Sequence, residues 1–69
     1  MVEVFKTTIQ KQTAAMTLLK VLSRQFPLLK INIDLDDCDK VLRVEGHNIS
    51  PKKIIEILHV NGYQCEMLE

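Results

Sequence analysis

The chain is poor in the residues that break, bridge or anchor a fold: 69 positions hold two glycines, two prolines, two cysteines and no tryptophan. No Gly/Ser-rich or Pro-rich stretch, low-complexity tract or fixed-period repeat divides it, so residues 1–69 read as one domain. Cys38 and Cys65 are too far apart for a paired zinc-ligand spacing. The opening Met1-Val2-Glu3-Val4 lacks the basic start of a secretory leader, which argues against a disulfide scaffold and for a cytoplasmic protein. Charge of one sign is missing too. Nine Lys+Arg balance nine Asp+Glu, so no bulk positive field exists to attract nucleic acid or anionic lipid. Apolar runs such as Leu18-Leu19 and Leu28-Leu29 are far too short to span a bilayer. What is present is a globular balance of 46% apolar and 26% charged residues, enough for one thin two-layer core. A chain of this length buries only about 60% of its unfolded surface.

The periodicities are clear. Val2 to Thr7 alternates, with Val2, Val4 and Lys6 on one side and Glu3, Phe5 and Thr7 on the other, and reads as a first strand. From about Gln10 to Gln25, Ala15, Leu18, Leu19, Leu22 and Phe26 share one helical face, and Pro27 ends that helix. Leu29, Ile31, Ile33 and Leu35 alternate with Lys30, Asn32, Asp34 and Asp36 in a second strand buried on one side. Asp36-Asp37-Cys38-Asp39 is a turn, because short acidic side chains bond their own backbone. A third strand covers Lys40 to Glu45, with Leu42 and Val44 inward and Val41, Arg43 and Glu45 outward. Ser50-Pro51 predicts a cap and first position for a second helix reaching about Asn61, with a stripe of Ile54, Ile55 and Leu58 and a left-handed stop at Asn61-Gly62. Tyr63, Cys65 and Met67 alternate with Gln64, Glu66 and Leu68 in a fourth strand.

Strand, helix, strand, strand, helix, strand is the pattern of a ferredoxin-like α+β sandwich. The expected sheet is four-stranded and antiparallel, with both helices on one face and, from right-handed crossovers, strand order 4-1-3-2. The loop after the first strand, the turn after the second and the loop before the fourth then share one end. His47 belongs at the other.

With this pattern the chain resembles the heavy-metal-associated domain of copper chaperones and metal-transporting ATPases. The stretches that carry the resemblance are Ile31-Asn32-Ile33-Asp34-Leu35, Leu42-Arg43-Val44-Glu45-Gly46, Ser50-Pro51-Lys52-Lys53-Ile54-Ile55 and Asn61-Gly62-Tyr63-Gln64-Cys65-Glu66, together with Phe5 and Ile9. The family places Cys-x-x-Cys where its metal loop meets the helix, so that two thiolates hold soft copper(I). Counting two onward from Ile9, this chain has Lys11 and Ala14 at those positions. Neither can serve: Ala lacks a donor atom and Lys repels a cation. The resemblance therefore implies the scaffold with its metal site lost and no cofactor, which leaves a non-catalytic binding or interaction module.

Four sets of residues remain as sites. Cys38 with Cys65 or His59 would make a relocated copper(I) or zinc site, against the plainer reading of a packed Cys65 and an incidental turn thiol. Asp34, Asp36, Asp37 and Asp39 offer oxygen ligands without the central glycine and terminal Glu of a calcium loop. Thr7, Thr8, Lys11 and Thr13 surround a helix N-terminus, where an anion or small regulatory ligand would sit, though these are also ordinary residues for an exposed helix start. Val2, Val4, Val41 and Leu68 point away from the helices and suggest a surface for a protein partner or a second copy. Catalysis has no support, since no Ser/His/Asp or Cys/His arrangement or nucleotide loop occurs. An RNA-binding sheet would need aromatics on the first and third strands facing out, whereas Phe5 faces in and the third strand has none.

Overall fold

A computed structural model describes residues 1–68. Its elements run β1 (Val2–Thr7), α1 (Gln12–Gln25), β2 (Lys30–Asp34), β3 (Val41–Glu45), α2 (Pro51–Val60) and β4 (Cys65–Met67). The sheet is antiparallel throughout, in the order β2-β3-β1-β4, which is the expected 4-1-3-2 read from the opposite edge. The α+β sandwich is the one the periodicities predict. Among the described residues no helix is long and apolar enough to cross a membrane.

Alternation decides which side of the sheet is covered. Phe5, Leu42 and Val44 are fully buried and join Ala15, Leu18 and Leu22 of α1 and Ile54 and Leu58 of α2 in one cluster. Both helices therefore lie on the same face, Phe26 and Ile55 flank the core half-buried, and Leu19 is half-buried outside the cluster. On the other face Val2, Lys6, Lys30, Asn32, Asp34, Arg43 and Glu66 are exposed.

The ends of the elements differ from expectation in instructive ways. Helix α1 starts two residues later than the apolar spacing suggests, because Ile9 leaves the sheet to fill the core at 0% exposure and Lys11 is still extended. Pro51 does open α2, but the Ser50 side chain makes no cap bond. The stop after α2 is left-handed at Gly62, with φ of +91°, while Asn61 instead donates its side-chain amide to the Ile57 carbonyl at 2.7 Å. At the opposite end Gly46 has φ of +146°, a conformation that strains any residue with a side chain, and a Cβ there would also push Leu29 Cδ2 aside from 2.5 Å.

Candidate functional site

Three connections meet at one end of the sheet, and two threonines tie them together. Thr7 is the last residue of β1 and the single buried polar residue among those described. Its N–H donates to the Asp39 carbonyl at 3.0 Å, its hydroxyl donates to the Lys40 carbonyl at 2.6 Å, and its Oγ1 accepts the Ile9 N–H at 3.3 Å. Thr8 turns the other way: its N–H donates to the Gln64 carbonyl at 3.2 Å and its Oγ1 accepts the Gln64 N–H at 2.9 Å. One pair of hydroxyls thus clamps the β1–α1 connection to the β2–β3 turn on one side and to the lead-in of β4 on the other. Residue spacing gives no signal for this, because the partners are distant in sequence.

Of the four threonine and lysine positions considered for an anion, Thr7 and Thr8 are therefore engaged within the fold. Lys11 and Thr13 are exposed at the start of α1. Ala14, the second position at which the resemblance expects a thiolate, is half-buried and lines a groove with Thr13, Thr17, Leu18, Asn61 and Tyr63. Tyr63 thus lies at the same end as the loop of Lys11 and Ala14.

The acidic turn is built as its composition dictates. Asp34 Oδ1 accepts the Asp36 N–H at 3.0 Å and Asp37 Oδ1 accepts the Asp39 N–H at 2.8 Å, two bonds by which short carboxylates hold their own backbone. Lys40 closes the turn in a left-handed conformation, φ +51°, with its ammonium donating to the Leu35 carbonyl at 3.0 Å. Donor atoms of Asp37, Cys38 and Asp39 come within 4.8 Å of one another, the sole such group of three among the described residues, while Asp34 and Asp36 stand apart from it. The set mixes one soft thiol with two hard carboxylates on an exposed turn, which suits neither copper(I) nor calcium.

The two cysteines are in different surroundings. Cys38 is exposed, whereas Cys65 is half-buried opposite Thr7 in the β1–β4 register. Burial, and secondarily the neighbouring Glu66 carboxylate, push the Cys65 thiol up to about 11. It is a protonated thiol at neutral pH, the opposite of what a copper ligand requires. Cys65 and the exposed His59 do not join the group around Cys38. His47 follows Gly46, whose N–H donates to the Met1 carbonyl, and so lies at the far end of the sheet.

The uncovered face of the sheet has its own order. Register sets Val4 beside Arg43 and Val2 beside Glu45, and the Leu68 N–H donates to the Val4 carbonyl at 2.9 Å, which brings Leu68 alongside Val4. Val2, Val4 and Leu68 thus stand at neighbouring positions on this face. Val41 sits diagonally across, beside Asp34, and shares a shallow groove with Val4, Asn32, Arg43 and Glu45. Around them alternate Lys6, Lys30 and Arg43 with Asp34, Glu45 and Glu66, including a Lys6–Glu66 contact of 3.9 Å and an Arg43–Glu45 contact of 2.8 Å.

No family model, curated protein or solved structure matches the chain.

Proposed function

We propose that this chain is a cytoplasmic, non-catalytic protein-interaction module: a domain similar to the heavy-metal-associated fold, without its metal site, that docks a protein partner on the open face of its sheet. The observation that carries the reading is the neighbouring placement of Val2, Val4 and Leu68 on a face that no helix covers. Apolar residues so placed, on a sheet whose other side supplies the whole core, are free to bind without cost to the fold. Its border of three cations and three anions, with no excess of either, fits a protein surface of mixed charge and gives nothing to a polyanion. The loop that would hold copper supports the same view from the other side, since it presents Lys11 and Ala14 while the Cys65 thiol, opposite Thr7, keeps its proton.

The test uses affinity capture with the wild type, Val4→Asp and Lys11→Ala, each checked for its native circular dichroism. The proposal expects one partner retained by wild type and by Lys11→Ala and lost with Val4→Asp, and amide shifts on adding that purified partner confined to the outer positions of β1, β3 and β4. Shifts centred on residues 8–14 and 61–65 instead would move the function to the loop end and overturn it.

A further inference from the structure

Strand β2 forms one edge of the sheet and pairs on one side with β3. Edge strands in stable monomers are protected by charged side chains, proline, a bulge, an inward-pointing charge or a very short length. Of these β2 has only the charges of Lys30 and Asp34, which are of opposite sign: its five residues contain no proline, its register runs from Lys30↔Glu45 to Asp34↔Val41 without a skipped residue, and both charges point to the open face.

The sequence of this edge is its own complement. Read in either direction from Asn32, the order is Ile, a charged residue, Leu: Ile31, Lys30, Leu29 one way and Ile33, Asp34, Leu35 the other. The apolar residues match and the charges are opposite. We propose that a second copy of this chain pairs here, β2 against β2, antiparallel and centred on Asn32, joining two sheets into one of eight strands. This goes beyond the partner on the open face and does not depend on it.

Three observations support the pairing. In the antiparallel register about Asn32, Lys30 faces Asp34 of the second copy, and the two-fold symmetry repeats the contact. Neither residue has an ion-pair partner within the chain among the described residues, whereas Lys6 and Arg43 on the same face do. On the helix side, Leu29, Ile31, Ile33 and Leu35 are all only half-buried, while Phe5, Leu42 and Val44 of the inner strands are completely covered. Pairing places Leu29 against Leu35 and Ile31 against Ile33 of the second copy, and so covers that row. The register is also distinctive. Sliding by one residue sets charged residues against isoleucines, and sliding by two separates both Lys30–Asp34 contacts.

Sedimentation of the wild type across a concentration series, up to about 1 mM, reads the equilibrium. A monomer–dimer transition is expected. Lys30→Asp places two carboxylates together twice in the homodimer and Asp34→Lys two ammonium groups, so each variant alone should dimerise about tenfold or more weakly. Mixed in equal amounts, the two should form a heterodimer with both charge contacts restored, and Lys30→Asp/Asp34→Lys should recover the homodimer. Asp34→Lys also loses the bond to the Asp36 N–H. If it fails to fold, Asp34→Asn, which keeps that acceptor and drops the charge, should weaken the dimer by a smaller factor. A wild type that stays monomeric throughout, or a dimer indifferent to Lys30→Asp and without preference in the mixture, overturns the proposal.

Discussion

On β1, Phe5 and Thr7 are 0% and 6% exposed, while Val2 on the opposite face is 47% exposed. The same contrast recurs between residues of one type, since Val44 on β3 is fully buried. The difference lies in what each face is asked to cover. Inward, the central positions Phe5, Thr7, Leu42 and Val44 are buried beneath the helices, so shape and polarity are constrained at once and Thr7 is tolerated only because its hydroxyl has a donor and an acceptor to satisfy it. Outward, nothing packs against the strands, and residues there are free to answer to a partner. A domain this small has little stability to spare, so the two faces should respond very differently to substitution.

The largest effect is expected in the core. Leu22→Ala removes a side chain with no exposure between α1 and the sheet, and should destabilise the domain by about 2 to 5 kcal/mol in chemical denaturation. A loss below about 1 kcal/mol, the size of a surface change, would mean that this helix face is not the buried one. Next comes the polar member of the inner face. Thr7→Val keeps the volume but leaves the part-buried Lys40 carbonyl without its donor and the buried Ile9 N–H without its acceptor, and should cost about 1 to 3 kcal/mol. An unchanged midpoint would show that the clamp between the loops contributes nothing.

Smaller still, and specific to pH, is the effect of Cys65. Its thiol is raised from 9.0 to about 11 in the folded state, so the folded protein holds a proton that the unfolded chain releases first. Its effect is absent below pH 9; stability is lost as pH rises from about 9 towards 11, and Cys65→Ala should flatten that part of the profile. Cys38, exposed in its turn, should also be alkylated well before Cys65 in the native protein. Equal, fast labelling of both would place Cys65 outside the inner face.

Much of this division was legible in residue order. The alternation of Val2 to Thr7 and of Leu29 to Asp36, and the spacing from Ala15 to Leu22, sort inner from outer residues because periods of 2 and 3.6 map directly onto faces. The ends were less so. Ile9 belongs to no periodic run, yet it is a core residue, since the chain must descend from the sheet before α1 begins. The roles of Thr7 and Thr8 depend on Lys40 and Gln64, which only the folded topology brings near. Self-complementarity about Asn32 is visible in the sequence, but it acquires meaning once β2 is an edge.

The proposal that Lys11 and Ala14 leave the loop without metal ligands is tested directly by titrating reduced protein with copper(I) and zinc(II) while following amide shifts. The wild type should show no site-specific shifts and no copper(I) retention against a competing chelator. Lys11→Cys/Ala14→Cys should bind copper(I) tightly, with shifts at residues 9–15, and either single replacement should bind far more weakly because a lone thiolate lacks its partner. Tight copper(I) binding by the wild type, with shifts at the loop end around Cys38, Cys65 and His59, would contradict the account and return the domain to metal handling.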